Sequence, residues 1–327
     1  MKKVTAKAPA NIAFIKYWGK KDEKLRLPAN SSISMNLSGA CTTTSVEFDK
    51  RLAKDEFFID GESLAVEERD RLSKHLDLIR KKAGLRVFAE VRSKNNFPKG
   101  VGIASSASGF AALTMAAAKA AGLGLSEKEL SILARLGSGS ACRSIPDGFV
   151  EWRTGKRSKD SYAYSLFPPE YWDICDLIAV VGEKEKKVSS TEGHALAQSS
   201  PFYRARIIGI PKKIREIKKA LKDKDFTKFG EVSEREAINM HAVMMTSNPP
   251  LYYWSPQTQA VILAVEEWRD SGLEVYFTID AGPSVHLICK SNGIAKVRKC
   301  LSGIMGIKRV IINYPAAGAR FLTNGNN

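Results

Sequence analysis

Histidine and paired cysteine are what this chain has least of. Its four histidines (His75, His194, His241, His286) form no H-E-x-x-H or similar cluster, and its five cysteines (Cys41, Cys142, Cys175, Cys289, Cys300) include no C-x-x-C pair. An odd, scattered set of thiols argues against a disulfide framework, and the missing ligand spacing argues against a zinc site. Also missing is any run of about 18 apolar residues, the length a membrane helix needs. The opening Met1-Lys2-Lys3-Val4-Thr5-Ala6-Lys7 has no signal-peptide core. A soluble, cytoplasmic protein without a membrane partner is therefore expected. No G-x-x-x-x-G-K-[ST] occurs, so the common phosphate-loop nucleotide fold is not supported. Acidic residues are in short supply: 35 Asp and Glu stand against 51 Lys and Arg, a net charge of +16. That balance fits nucleic acid, an acidic membrane surface or a strongly anionic small molecule, and charge alone does not choose among them.

What is present is the composition of a folded protein, 327 residues with 44% hydrophobic, enough for one large or two ordinary domains. The most informative stretch runs Phe97-Pro98-Lys99-Gly100-Val101-Gly102-Ile103-Ala104-Ser105-Ser106 into an alanine-rich segment, Ala111 to Ala118, of high helix propensity. A glycine-bearing loop feeding a helix N-terminus gathers unpaired N–H groups and the positive end of the helix dipole at one spot, where a phosphate fits. The other reading is a small-residue helix packing closely on a neighbour.

Lys16, between Ile15 and Tyr17-Trp18, either packs its stem while its ammonium meets an anion or snorkels to water. From Ser32 the polar and apolar residues alternate, predicting a strand with Ser32, Ser34 and Asn36 on one face. Further strands are expected over Thr42–Phe48, Glu56–Ile59 and Leu85–Val91, in an antiparallel sheet, with a helix over Val66–Ala83. Ser126-Glu127-Lys128-Glu129 is a capping box for a short helix. It leads to Gly137-Ser138-Gly139-Ser140-Ala141-Cys142-Arg143-Ser144, where an arginine suited to carboxylate or phosphate, or to a structural ion pair, sits among small residues. Phe149–Trp152 and Leu177–Val181 read as strands. The charged break Gly182-Glu183-Lys184-Glu185-Lys186-Lys187 suggests a domain boundary near residue 182. The second half reads as helices over Lys212–Lys222, Phe226–Met244 and Gln257–Ser271. A strand over Glu274–Ile279 follows, ending in Asp280-Ala281-Gly282-Pro283, then a strand over Val285–Cys289. By itself Asp280 there is equally a turn former.

Several of these segments, in this order, resemble the GHMP small-molecule kinase superfamily and, more closely, its mevalonate diphosphate decarboxylase branch. The resemblance spans most of the chain. It rests on Ala8-Pro9-Ala10-Asn11-Ile12-Ala13, Lys16-Tyr17-Trp18-Gly19-Lys20, Leu27-Pro28-Ala29-Asn30-Ser31-Ser32-Ile33-Ser34, Asn95-Asn96-Phe97-Pro98, Gly102-Ile103-Ala104-Ser105-Ser106-Ala107, the arginine segment, Ser189-Ser190-Thr191 and Asp280-Ala281-Gly282-Pro283. It implies an α+β protein. Residues 1–182 would form an N-terminal domain like one found in a ribosomal protein, carrying the ATP loop. Residues 183–327 would form a ferredoxin-like α/β sandwich supplying Asp280 across a cleft.

The activity the resemblance implies is ATP- and Mg2+-dependent: phosphorylation of the tertiary 3-hydroxyl of mevalonate diphosphate, then loss of phosphate and carbon dioxide to give isopentenyl diphosphate. Such chemistry needs a base at the hydroxyl, cations around the phosphates and a donor for the carboxylate. By resemblance Asp280 orients or deprotonates the hydroxyl, Lys16 stabilises charge beside it and Arg143 holds the carboxylate. Tyr17, Lys20, Ser138, Ser140 and Ser189 contact substrate, and Gly102, Ala104, Ser105, Ser106, Ser32 and Ser34 serve ATP. No dedicated metal ligands are implied; Mg2+ arrives with ATP and meets the hydroxyl of Ser105 or Ser106. A homodimer is implied as well. Two departures from the family pattern stand out: Lys99-Gly100-Val101 after the loop proline, and Pro146-Asp147-Gly148, whose added carboxylate offers Arg143 a competing partner. A monophosphate-specific decarboxylase or a 3-hydroxyl kinase on the same scaffold stays open, and RNA binding is the reading from another class.

Overall fold

The structure, a computed structural model, describes residues 2–97, 105–182 and 188–322. The first half contributes strands β1 (Val4–Ile15), β2 (Lys20–Asp22), β3 (Leu27–Pro28), β4 (Ser32–Asp49), β5 (Glu56–Ile59), β6 (Glu62–Ser63), β7 (Phe88–Asn95), β8 (Phe149–Trp152) and β9 (Ala163–Phe167). Its helices are α1 (Val66–Ala83), α2 (Ser105–Ala120) and α3 (Glu127–Gly137), followed by a 3-10 turn at Gly139–Ser144. The second half contributes β10 (Ile174–Val180), α4 (Ser190–Leu196), α5 (Tyr203–Asp223), α6 (Phe226–Met245), α7 (Pro256–Asp270), β11 (Val275–Thr278), β12 (Val285–Lys290), α8 (Ile294–Ser302), β13 (Arg309–Asn313) and β14 (Arg320–Phe321).

β1 and β4 form the spine of an eight-stranded sheet of order β14-β1-β4-β7-β5-β6, with β8 and β9 continuing from the other end of β4. The two strands expected from Ser32 and over Thr42–Phe48 are one strand of 18 residues. Its first part pairs with β8 and its last part with β7, while β1 runs along both. A single run of backbone thus reaches from the helical layer to the second domain. The pairing is antiparallel except that β5 lies parallel to β7, which corrects the wholly antiparallel expectation. The connection between β5 and β7 passes through α1, and such a crossover permits parallel pairing. α1, α2 and α3 cover one face of the sheet, where Leu76, Ile79, Phe110, Ala116 and Leu133 meet Val46, Phe48 and Val91. The expected capping box is formed: Ser126 Oγ accepts from the Glu129 N–H, and the Glu129 carboxylate accepts from the Ser126 N–H.

The second sheet has the order β11-β12-β10-β13, all antiparallel. Numbered along the chain, its strands run 2-3-1-4, the order of a β-α-β-β-α-β ferredoxin-like unit. α7 and α8 pack on one face, while Ile174, Ile178 and Ile288 on the other meet α5, α6 and the strands of the first half. Because β10 already belongs to this sheet, the sheets part between Phe167 and Ile174, ahead of the break expected near residue 182. Most of that charged break, Glu183–Lys187, lies outside the described residues. The helix expected from Lys212 instead begins at Tyr203 and carries Pro211 within it. Proline deprives an interior turn of one hydrogen bond. Burial of Arg206 and Ile210 before it and of Ile217 and Leu221 after it keeps one helix axis on the core.

Candidate active site

β1 leaves its ladder after Ile15, and the next four residues run without regular structure. Side chains and neighbouring loops hold them instead. Asn30 Nδ2 donates to the Lys16 carbonyl at 2.8 Å, the Gly19 N–H donates to His194 Nδ1 at 2.9 Å, and the Ala29 N–H donates to the Gly19 carbonyl at 3.1 Å. Lys16 is 1% exposed, and its Nζ donates to Asp280 Oδ1 at 2.6 Å. Asp280, just beyond β11, keeps 23% of its side chain accessible. Burial works to raise the Asp280 pKa, but the Lys16 charge and hydrogen bond, with His286 and Arg143 farther off, outweigh it and hold the carboxyl below its ordinary range. Burial pulls Lys16 below its usual value although Asp280 opposes this. The expected buried lysine reaching an anion is thus formed, and the anion is Asp280 itself.

The pair lies in a cavity of about 500 Å3 between the two halves, lined also by Tyr17, Lys20, Ser105, Ser106, Ser138, Ser140, Arg143 and Ser189. Two arginines absent from the expected set, Arg26 and Arg71, complete five cations around Asp280, the single carboxylate among the described lining residues. That imbalance suits a multiply charged anion. Tyr17 packs edge-on against Trp152 at 4.6 Å and lies over His194 at 4.1 Å. Its hydroxyl has no partner among the described residues, and burial raises its pKa, so the phenol keeps a proton to donate. A Cβ at Gly139 would stand 2.8 Å from that oxygen, which explains glycine there. The His194 ring, pushed well below its usual pKa by burial, is neutral; since Nδ1 accepts, Nε2 carries the hydrogen.

Arg143 is fixed from behind. Its Nε and Nη2 donate to Asn11 Oδ1 at 3.1 and 2.9 Å, and Nη1 donates to Ser32 Oγ at 2.8 Å. These partners are neutral, so its charge remains available to a ligand. Asp147 does not compete, because its Oδ1 accepts from the Gly318 N–H at 2.6 Å. Ser32 and Ser34, expected at ATP, are fully buried and line neither this cavity nor its neighbour. Alternation along β4 turns them inward, and Ser32 supports Arg143. Ser189 caps α4, taking the Glu192 N–H on its Oγ at 3.2 Å. Lys20 Nζ pairs with Glu23. Ser106 and Ser138 hydroxyls meet at 3.1 Å. Gly102 and Ala104 lie outside the described residues, as does Lys99-Gly100-Val101. Among the described residues no group of three or more His, Cys, Asp or Glu is placed to hold a metal.

A second cavity of about 180 Å3 adjoins the first, sharing Arg71, Ser105 and Ser106; its walls are Phe57, Phe58, Ile59, Leu72, Phe110 and Leu113, with Thr42, Ser93 and Asn95 among them. Sequence reasoning missed it, since its walls come from three strands and two helices and no motif announces them. Arg71 stands at the junction: its guanidinium sits over the Phe110 ring at 4.6 Å, Nη2 donates to the Gly137 carbonyl at 3.0 Å and Nε has no partner among the described residues. Burial, with Arg26 adding, lowers its pKa to about 10, which leaves it charged at neutral pH. An apolar slot thus opens past an arginine into a cationic basin.

Residues 8–163 match the diphosphomevalonate decarboxylase-like N-terminal domain model, and residues 176–317 match the mevalonate 5-diphosphate decarboxylase C-terminal domain model. The chain is 36% identical to a diphosphomevalonate decarboxylase of Ganoderma lucidum over 90% of this chain and 80% of that protein. It is 35% identical to the one of Homo sapiens over 90% and 78%. Among solved structures, mevalonate diphosphate decarboxylase from Staphylococcus aureus superposes with a TM-score of 0.94 at 39% identity, covering 98% of both chains. MDDEF in complex with MVAPP, AMPPCP and magnesium gives 0.94 at 36% identity over 98% of this chain and 99% of that one.

Proposed function

The chain belongs to the diphosphomevalonate decarboxylase family, and on that premise we propose how its own residues carry the reaction. It converts mevalonate 5-diphosphate and ATP to isopentenyl diphosphate, ADP, phosphate and carbon dioxide, using Mg2+. The observation that carries the reading of the site is the Lys16–Asp280 pair at 2.6 Å, walled by cations. Asp280 Oδ orients the 3-hydroxyl and takes its proton, while Lys16 Nζ steadies the negative charge that develops on the oxygen. Arg143, held by Asn11 and Ser32, receives the carboxylate. The Tyr17 phenol, Lys20, Ser138 and Ser140 hold the diphosphate end, with Ser189 at the mouth.

The residues present fit a magnesium nucleotide. Arg71, whose buried Nε has no partner among the described residues, stands with Ser105 and Ser106 at the junction of the two cavities. With no acidic ligand cluster among the described residues, the metal would be held by phosphate oxygens and a serine hydroxyl, where it supplies neutralisation of phosphate charge. The apolar slot beyond Arg71 takes the nucleoside. Two domains meeting near residues 168–173, a homodimer, a cytoplasmic location, and neither a nucleic acid nor a membrane partner complete the proposal.

Product analysis tests it. With ATP and each of mevalonate, phosphomevalonate and mevalonate diphosphate, carbon dioxide and inorganic phosphate are expected with the last. Release from phosphomevalonate alone, or phosphorylation without carbon dioxide, would replace the reading by one of the related activities.

A further inference from the structure

The Lys16 side chain meets Asp280 across the two halves of the protein, yet residues 16–19, which carry Lys16 and Trp18, run without regular structure. From the second half, His194 on α4 takes the Gly19 N–H, and the carbonyls of Lys16 and Trp18 are met by Arg206 on α5, 4% exposed. Arg206 Nη2 donates to the Lys16 carbonyl at 3.0 Å, and Nη1 reaches the Trp18 carbonyl at 3.5 Å. Its charge is met by Glu236 on α6, fully buried, whose other oxygen accepts from Lys213 Nζ at 2.6 Å. Five residues on, the same helix presents His241, whose Nε2 lies 3.2 Å from the Asp280 carbonyl. A carbonyl only accepts, so Nε2 carries the hydrogen. Burial keeps this ring neutral, with a pKa lowered to about 3. Two neighbouring helices therefore grip the backbone of both members of the pair.

We propose that the buried Arg206–Glu236 pair is a positioning device for the decarboxylation, setting where Lys16 Nζ and the Tyr17 ring stand relative to Asp280. The inference rests on the functional reading above. Burying two charges is costly, and replacing such a pair by apolar groups of similar volume is often neutral or favourable to stability. What the pair supplies is geometry: the planar guanidinium fork reaches a carboxylate and two carbonyls at once, which an ammonium on a flexible stem does not. Displacing catalytic groups by about 1 Å costs on the order of 10² in rate.

The test is the full-length double variant Arg206→Met/Glu236→Leu, which removes both charges together. Lys213, with 19% of its side chain exposed, keeps water and Asn239 Oδ1 as partners, and Asn30 still holds the Lys16 carbonyl. The expected result is a Tm within about 3 °C of wild type, a kcat at least about tenfold lower, and KM values for ATP and mevalonate diphosphate changed by less than about threefold. A folded double variant with wild-type kcat overturns the proposal. If it does not fold, Arg206→Lys decides: paired to Glu236 but without the fork, it should lose kcat while keeping Tm, and wild-type kcat refutes the role. Wild type is assayed alongside; failure of wild type to release carbon dioxide would sink the functional reading itself, whereas variants equal to an active wild type sink the positioning role alone.

Discussion

Asp280→Asn separates a catalytic carboxylate from a turn former, because the amide keeps the shape and loses the charge. Two costs follow from the geometry. The first is stability. Lys16 is 1% exposed and loses its counter-ion at 2.6 Å, while Asp280 has 23% of its side chain in contact with solvent. Breaking a fully buried pair costs about 3–5 kcal/mol, and exposed pairs are worth about 0–1. An intermediate loss of about 2–3 kcal/mol corresponds to roughly 5–10 °C in Tm for domains of this size. The second cost is chemical: removing a positioned base lowers turnover by about 10²–10⁴. The assay is carbon dioxide and phosphate release at saturating ATP and mevalonate diphosphate, beside a thermal melt and the affinity for a non-hydrolysable ATP analogue, which should barely change. Asp280 also works to raise the Lys16 pKa. In the variant that support is gone, Lys16 loses its proton at lower pH, and the alkaline limb of residual activity moves down. Near-normal turnover with a sharply lowered Tm would show that Asp280 only shapes the turn and would refute the catalytic assignment.

Gly139→Ala brings a Cβ to 2.6 Å from the Tyr17 ring; displacement of the phenol should raise KM for mevalonate diphosphate by about tenfold, the loss of one good hydrogen bond to a charged group, with ATP analogue binding intact by calorimetry. Gly109 lines the apolar slot, and a Cβ there meets nothing within 4 Å; Gly109→Phe should fold normally and weaken ATP by at least about tenfold, read as KM for ATP against an unchanged melt. Burial lowers the pKa of His75 and His241 from 6.5 to about 3. Between these values the unfolded chain binds protons that the folded one refuses, so stability is full above pH 6.5 and falls as pH drops. The loss is up to about 1.4 kcal/mol per pH unit for each residue. Denaturant midpoints across pH 4–7 check this, and His75→Leu should shallow the slope.

Much of the local structure was legible along the chain. α1 and α3 announce themselves by apolar spacing and a capping box, and β5, β8 and β12 by short apolar runs between turn signals, because those signals are set by residues a few positions apart. The members of the site, Lys16, Arg143 and Asp280, were legible as residue types out of place: a lysine in an apolar run, an arginine among small residues, an acid at a strand end. The resemblance of ordered segments gave them their roles. What the residues alone left open was which alternative held, whether Lys16 met an anion and whether Arg143 was tied to a carboxylate.

Tertiary structure decided those questions, since each depends on groups far apart in sequence. Lys16 and Asp280 are brought together by the meeting of two sheets, and Arg143 is freed for ligand because Asn11 and Ser32 hold it while Asp147 is occupied by Gly318. The same holds elsewhere. Ser32 and Ser34, which the resemblance assigns to ATP, are buried on β4 with Ser32 against Arg143, and the two strands read there are one because β1 pairs with β4 on both sides of Ser38-Gly39. The helix read over Lys212–Lys222 extends back to Tyr203, because burial on both sides of Pro211 outweighs the one hydrogen bond the proline removes. Arg71, His194 and the apolar slot carry no signal at short range, because a cavity is a property of surfaces that face each other across the fold. Sequence fixes what each segment prefers over a few residues; which preferences survive, and which side chains share a cavity, is settled by burial and charge pairing between segments that only the folded chain brings together.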